Sequence, residues 1–356
     1  MTDLQLSFLH LVRLGLGLPP SAGESAIAWD KLKALSVWQC LPSIVLDGVE
    51  HLPESARPSK EMLLPWIGQL MQDEQRFAAQ SKVAARLAEK LWSAGIRTYV
   101  LKGQVVAECY PKPEHRSSVD LDCFLAPAFG GDADVWEKGN AIVENSGCKV
   151  ERKYYKNSTW FLPGLMVENH RWLTPCRGNE RLEALERLLR ELLREDVGAS
   201  QFEDTRLCRP PVMVSALFLI EHAYSHFLHE GLTWRLVLDW MMFSRRHQDE
   251  IDWPQLNGWI DEFGFRKFYD SYVQLGAFLH GEVSEADLSV PDKLMMEDIW
   301  ANLDLHESVR GLRGKLALAG NTFRARWKYR HFSEISWLRA LWIQAKGVLF
   351  IRQPKL

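Results

Sequence analysis

The sequence is poor in cysteine and has no long hydrophobic run. Its six cysteines are scattered through 356 residues without a Cys-x-x-Cys pair, which excludes a zinc knuckle or a dithiol redox motif. The longest apolar stretch, Val212 to Ile220, is too short to span a bilayer. His10 and Arg13 interrupt the apolar stretch near the start of the chain, which also lacks the basic start of a signal peptide. We therefore expect a cytoplasmic protein without a transmembrane segment.

Length and hydrophobic patterning define the fold class. The chain is long enough for two or three domains, and 47% of its residues are hydrophobic, which suffices for substantial cores. Residues 1–94 have a helical pattern, residues 95–178 contain short β-rich segments, and helical patterns return in residues 179–356. The pattern predicts an α+β protein with a small mixed sheet flanked by N-terminal and C-terminal helical regions.

The segment around Asp120 and Asp122 reads as a strand that carries two acids. The two residues are two positions apart, so both carboxylates point to one face of the strand. Apolar neighbours are expected to face a core on the other side: Val119, Leu121, Cys123 and Leu125. A divalent cation relieves the repulsion between such acids, and Mg²⁺ or Mn²⁺ prefers carboxylates together with phosphate oxygens. The alternative is a solvated strand without metal.

A Lys-Gly turn lies upstream of this strand. The β-rich segment from Arg97 to Leu101 ends at Lys102 and Gly103, and a helical segment from Gln104 to Tyr110 follows. A glycine at such a turn lets the backbone approach a ligand closely, and the free N–H groups of a helix start favour phosphate. Lys102 adds a positive charge. Arg116, four residues before the first aspartate, is a further candidate for binding phosphate.

A β-hairpin supplies a third acid. The segments from Glu151 to Phe161 and from Leu165 to Trp172 flank a Pro-Gly turn. Glu168 and His170 share one face of the second segment because they are two residues apart. If this segment lies beside the strand with the two aspartates, Glu168 completes an acidic triad. Such triads commonly hold two metal ions about 3.5 to 4 Å apart.

Taken together, these motifs resemble the nucleotidyltransferase (polymerase-β-like) superfamily. The likeness is greatest to bacterial nucleotidyltransferase-like proteins with an LKG turn, an RxxxDxD strand and a later strand with an acid and a histidine. The matching residues are Leu101, Lys102, Gly103, Arg116, Asp120, Asp122, Glu168 and His170. The sequence departs from the wider superfamily in having Lys-Gly where Gly-Ser is usual, and in the long linker before the aspartates.

The resemblance implies an enzyme that transfers a nucleoside monophosphate from an NTP such as ATP to a hydroxyl and releases pyrophosphate. The implied roles are metal binding and catalysis for Asp120, Asp122 and Glu168, and nucleotide binding for Lys102, Gly103, Arg116 and His170. Mg²⁺ or Mn²⁺ is the implied cofactor, and the acceptor is left open among protein, RNA and a small molecule. The alternative is a nucleotide-binding or regulatory protein, for example of the toxin-antitoxin type, that uses the fold without turnover.

Three histidines share a stripe of the next predicted helix. His222, His226 and His229 are spaced by four and three residues, a spacing that can bind zinc. The sequence lacks the His-Glu-x-x-His arrangement and an obvious further ligand, so we expect these histidines to face the cleft or to satisfy buried hydrogen bonds. The resemblance makes His222 and Asp239 candidates for lining the active-site cleft.

The chain becomes basic after Asn321. Aromatic residues are interleaved with the basic ones, a composition that would suit a nucleic acid or a membrane surface. We favour the alternative of two amphipathic helices that pack through Trp327, Tyr329, Trp337 and Trp342 and hold their charges in water.

Overall fold

The computed structural model describes residues 1–20, 27–129, 134–152, 155–196, 198–301 and 325–350, without the side chains of residues 344 and 347–350. Three basic residues of the C-terminal segment lie outside the described residues: Arg324, Arg352 and Lys355. Within the described residues, a six-stranded mixed sheet is preceded, interrupted and followed by helices. The predicted α+β class is confirmed.

The elements follow one another in this order. The helices before the sheet are α1 (Asp3–Gly15), α2 (Trp29–Trp38), α3 (Pro42–Glu50) and α4 (Lys60–Ser93). The strands are β1 (Ile96–Val100), β2 (Asp120–Pro127), β3 (Lys149–Glu151), β4 (Asn157–Leu162), β5 (Leu165–His170) and β6 (Leu207–Cys208). The helices between strands are α5 (Gln104–Ala107), α6 (Trp136–Glu144) and α7 (Glu180–Glu195). The later helices are α8 (Val212–His229), α9 (Trp234–Arg246), α10 (Trp253–Glu262), α11 (Arg266–His280), α12 (Val290–Ala301), α13 (Arg326–Phe332) and α14 (Trp337–Phe350).

The strands lie in the order β3-β4-β5-β2-β1-β6. The predicted hairpin is present as β4 and β5, which pair antiparallel around the Pro-Gly turn. Its first segment, expected as one strand from Glu151 to Phe161, is in fact two strands, because β3 and β4 pair antiparallel with each other. The short β6 lies parallel to β1 at the sheet edge, outside the region in which the sheet was expected.

Strand β2 has the alternation expected of it, with one exception. Leu121, Cys123 and Leu125 are buried on the core side of the sheet. Val119 was expected to join them, but 74% of its surface is exposed. The hydrogen-bonded ladder begins only at Asp120, so the alternation of faces within a strand does not apply to Val119.

The helices before and after the sheet share one core. Helix α1 packs closely on α3, where a Cβ added to Gly48 would lie 2.0 Å from the carbonyl oxygen of Leu11. Arg13 of α1 donates a 2.7 Å hydrogen bond to the carbonyl of Leu279 in α11, and Phe8 packs edge-on against Trp300 in α12. The three regions divided after residues 94 and 178 are therefore in contact, and their existence as separate domains stays a prediction.

The described part of the basic segment forms the two expected helices, α13 and α14. Tyr329 and Phe332 are buried in the shared core, whereas Trp342 is exposed. One charge is not in water as expected: Lys328 donates hydrogen bonds to the carbonyl of Phe227 (2.8 Å) and to Asp298 (2.7 Å). A buried ammonium needs such partners, so Lys328 contributes to the packing of α13 and not to an exposed basic surface.

Candidate active site

The sheet brings the three predicted acids to one face. Strands β2 and β5 are parallel neighbours, and in their register Asp122 lies opposite Glu168 while Asp120 lies opposite Met166. Because residues two apart share a face, the carboxylates of Asp120, Asp122 and Glu168 lie on the same side of the sheet. The expected neighbouring placement of the two strands is confirmed, and the catalytic and metal-binding roles of these residues stay predictions.

Asp122 lies at the buried centre of this set, with 1% of its surface exposed. Lys102 Nζ lies 3.2 Å from Oδ2 of Asp122, and His170 Nε2 lies 3.0 Å from Oδ1. Burial alone would raise the pKa of Asp122, but the ammonium of Lys102 and the hydrogen bond from His170 hold it well below its ordinary value. Asp122 is therefore ionised, and its Oδ2 atom forms an ion pair without accepting a hydrogen bond.

The other two acids have the opposite electrostatic environment. Burial, followed by the charge of Asp122, raises the pKa of Asp120 and likewise that of Glu168. The Glu168 side chain is about one-third exposed, so the acidic face is open to solvent on this side. Three carboxylates thus repel one another around a single lysine, an arrangement that favours additional positive charge.

His170 connects two of the acids. Its Nε2 atom lies 3.0 Å from Asp122 and 3.8 Å from Glu168 Oε2, while its Nδ1 atom lies 3.4 Å from the carbonyl oxygen of Trp172. One ligand atom each from Asp122, Glu168 and His170 can be found within 4.8 Å of one another. The two carboxylates are donors that divalent cations such as Mn²⁺ accept, whereas the Nε2 atom of His170 donates to Asp122 and so positions that carboxylate. Asp120 is not part of this tightest set.

A buried network holds strand β5 in this orientation. Asn140 of α6 accepts hydrogen bonds through Oδ1 from Ser158 (2.6 Å), Trp160 (2.7 Å) and Asn169 (3.2 Å). Asn169 occupies a position where a hydrophobic residue would face the core, and it is fully buried. Its Nδ2 atom donates to Asn140, while its Oδ1 atom has no hydrogen-bond partner among the described residues, so the single bond to Asn140 helps to fix the face that Glu168 and His170 present.

The Lys-Gly turn is present, but the helix after it is shorter than expected. Gly103 has φ +66° and ψ −108°, a backbone conformation that favours glycine. Helix α5 ends at Ala107, because Cys109 and Tyr110 donate to carbonyls only three residues earlier. Four helical residues carry little macrodipole, so the expected attraction of phosphate to a helix start loses its physical basis.

Arg116 lies in a different environment from the one expected for a phosphate ligand. It is 2% exposed and donates two hydrogen bonds of 2.7 Å to the carboxylate of Asp239 in α9. Asp239 also accepts a 2.8 Å hydrogen bond from the hydroxyl of Tyr110. Two N–H groups of Arg116 are thus engaged by Asp239 in a buried ion pair, and the roles of Arg116 in binding phosphate and of Asp239 in lining the cleft stay predictions.

Of the three histidines on α8, His222 lies near the acids. Its Nε2 atom is 3.4 Å from Lys102 Nζ, and burial together with the Lys102 charge holds its pKa well below the ordinary value. His226 pairs instead with Glu230, and His229 contacts the carbonyl of Ser225. Among the described residues, the metal-competent groups of three are the set at Asp122 and a second set of Glu74, Glu114 and His115.

Two features of the site escaped the sequence analysis. Lys102 was expected to contact a triphosphate, and its ion pair with Asp122 was not foreseen because no local pattern joins residues twenty positions apart. The second metal-competent group was also missed, since it joins α4 to the loop before β2. A histidine flanked by an acid, as in Glu114-His115, was its only local signal.

In the described part of the chain no helix combines the length and the hydropathy needed to cross a membrane.

Comparison with known proteins agrees with the geometry. No curated protein and no solved structure matches the chain. The model of a protein family described as "uncharacterised nucleotidyltransferase" matches residues 25–278, well over half of the sequence and all of the sheet. The chain therefore belongs to this nucleotidyltransferase family.

Proposed function

We propose that the protein transfers a nucleoside monophosphate from an NTP to a hydroxyl acceptor in a metal-dependent reaction that releases pyrophosphate. The observation that carries the proposal is the register of β2 and β5, which places Glu168 directly opposite Asp122 and on the same face as Asp120. Family membership supports nucleotidyl transfer in general. We place the protein in the cytoplasm, a reducing compartment, because all six cysteines are free thiols.

The acidic face has the donors that a divalent cation needs. Asp122 offers a buried Oδ2 atom that accepts no hydrogen bond, and Glu168 and Asp120 add carboxylates on the same face. Asp120, Asp122 and Glu168 would hold Mg²⁺ or Mn²⁺, with His170 beside them as a positioning residue. The cation would supply charge for the phosphates and lower the pKa of the acceptor hydroxyl.

Lys102 has two candidate partners, the carboxylate of Asp122 and a phosphate of the NTP. In the present structure its ammonium neutralises Asp122. Lys102 would be free to pair with a phosphate of the NTP, beside the turn at Gly103, if a cation bound at that carboxylate supplied the positive charge in its place. Lys102 would thus exchange an internal carboxylate for the substrate, which reconciles its ion pair with the nucleotide-binding role expected from the motif.

Glu168 is placed to assist deprotonation of the acceptor hydroxyl. Burial and the charge of Asp122 raise its pKa in the metal-free site, which favours positive charge beside it. The side chain of Glu168 is about one-third exposed, so an acceptor hydroxyl can approach it. We assign to Glu168 the deprotonation of the acceptor as its hydroxyl attacks the α-phosphorus.

A second function is favoured by one observation. The ion pair between Lys102 and Asp122 balances the buried charge without any metal ion. A protein that binds nucleotides for regulation and performs no transfer would be stable in this arrangement. The two functions differ in whether pyrophosphate is released.

Transfer of label from α-³²P-labelled ATP, CTP, GTP or UTP tests the proposal. Each NTP is incubated with the protein, Mn²⁺ or Mg²⁺ and cell lysate, which is then fractionated into protein, RNA and small molecules. We expect one fraction to gain label, with equal release of pyrophosphate. Asp122→Asn should lower the transfer by about a hundredfold or more, because a main electrostatic contribution is lost. Glu114→Gln, in the other acidic group, is the matched control. Nucleotide binding without label in any fraction would favour the regulatory function.

A further inference from the structure

A cavity of about 640 Å³ is lined by residues other than those of the acidic face. It is lined by residues of α7, α8, α13 and α14, and none of the three predicted catalytic acids contributes to it. Aromatic side chains form much of its wall, including Tyr224, Phe265 and Tyr329. This size and this apolar character are typical of sites for small molecules, which add a few polar groups to fix orientation.

One polar group of the wall lacks a partner. Glu221 of α8 lines the cavity, is 1% exposed, and its Oε2 atom has no hydrogen-bond partner among the described residues. A buried carboxylate without a partner is costly, so most such groups in proteins are paired. Burial raises the pKa of Glu221 to about 7, opposed by the charge of Lys156 and reinforced by that of Glu186.

Other polar groups of the wall have partners within the protein. Arg181 pairs with Glu334 (2.6 Å). His226 pairs with Glu230 (2.8 Å). Among the described residues of the wall, Glu221 is the one whose buried carboxylate oxygen lacks a hydrogen-bond partner.

We propose that this cavity binds a small organic cation, a molecule with a primary ammonium group that pairs with Glu221. The three N–H donors of an ammonium can satisfy the unpartnered carboxylate oxygen, and the charge-assisted hydrogen bond is of the strong kind. The surrounding aromatic faces attract a cation and also pack against the apolar body that carries it. The site is distinct from the acidic face, and it does not depend on nucleotidyl transfer.

Calorimetric titration with matched amines and alcohols tests this site. The probes are 2-phenylethylamine against 2-phenylethanol, and 1,4-diaminobutane against 1,4-butanediol, each at pH 8. We expect at least one amine to bind the full-length protein about tenfold or more tightly than its alcohol, which is the discrimination that one hydrogen bond to a charged group provides. Equal binding of amine and alcohol in both pairs, or no binding of either amine, overturns the proposal.

Two variants and a control locate the binding. Glu221→Gln keeps the volume and removes the charge, and should lower amine affinity about tenfold without lowering the melting temperature. Ala340→Phe leaves Glu221 in place and fills the cavity from α14, and should also abolish binding. Glu297→Gln changes an exposed carboxylate outside the cavity wall, and should keep the affinity within about twofold. Amine binding that survives both of the first two variants would place the cation elsewhere and overturn the proposal.

Discussion

The ion pair between Arg116 and Asp239 allows the sharpest test of the packing. Both side chains are almost fully buried, and two parallel hydrogen bonds of 2.7 Å join them. Replacing Asp239 with Asn leaves the guanidinium buried without a counter-charge, which we expect to cost about 3 to 5 kcal/mol of unfolding free energy. Arg116→Met should cost less, because Arg235, 3.3 Å from the carboxylate, still pairs with Asp239.

The magnitude translates into a measurable shift in urea unfolding. With a dependence of about 3 kcal/mol per M of urea, the midpoint should fall by about 1 to 2 M for Asp239→Asn. The double variant with Arg116→Met and Asp239→Leu removes both charges of the pair, so it should be less destabilised than Asp239→Asn. Tyr110→Phe removes only the 2.8 Å hydrogen bond to Asp239 and should cost less, about 1.5 to 3 kcal/mol.

The same variants decide between a structural role and a phosphate role for Arg116. If Arg116→Met unfolds like the parent protein and instead loses affinity for NTPs, the assignment to a buried ion pair is refuted. The pH dependence adds an independent check. Burial alone would raise the pKa of Asp239, but the charge of Arg116 outweighs burial and lowers it. The stabilisation by this ion pair is therefore present above the unfolded pKa of about 4 and is lost as the pH falls through the lower folded pKa.

Two further predictions concern groups that position the site. His115 contacts Asp47 (2.6 Å) and Glu74 (3.0 Å), and although burial opposes it, these acids raise its pKa. Its stabilisation should therefore be complete below about pH 6.5 and fade as the pH rises through the folded pKa, so the melting-temperature gap between the parent and His115→Gln should narrow from pH 6 to pH 9. A constant gap would contradict this. Asn140→Ala leaves three buried donors without their acceptor and should cost about 3 kcal/mol or more in urea unfolding, whereas Ser158→Ala should cost less. Equal losses would show that the network is not held by Asn140.

Local patterns in the sequence predicted the parts of the site that depend on strand geometry. The spacing of Asp120 and Asp122 predicted their shared face, and the Pro-Gly turn predicted the hairpin that carries Glu168. These follow from a period of two and from turn chemistry, which a few neighbouring residues determine. The neighbouring position of β5 and β2 was only a condition of the predicted triad, since no local rule joins strands so far apart in the chain.

Contacts between distant segments were beyond such rules. Arg116 has the charge and the position of a phosphate ligand, and only the packing of α9 shows that Asp239 occupies its guanidinium. Lys102 likewise pairs with Asp122 across a loop, and Val119 lies outside the ladder that alternation presupposes. For Arg116 and Lys102 the residue type indicated an anionic partner, but tertiary structure determined which anion that partner is.

Binding of Mn²⁺ in the presence of a non-hydrolysable NTP analogue tests the central claim most directly. The free ion is followed by electron paramagnetic resonance during titration of the parent, of Asp122→Asn and of Glu114→Gln. We expect the parent to bind the ion, Asp122→Asn to bind it at least about tenfold more weakly because a hard anionic ligand is lost, and Glu114→Gln to match the parent. Unchanged Mn²⁺ affinity in Asp122→Asn, or a loss confined to Glu114→Gln, would contradict the account.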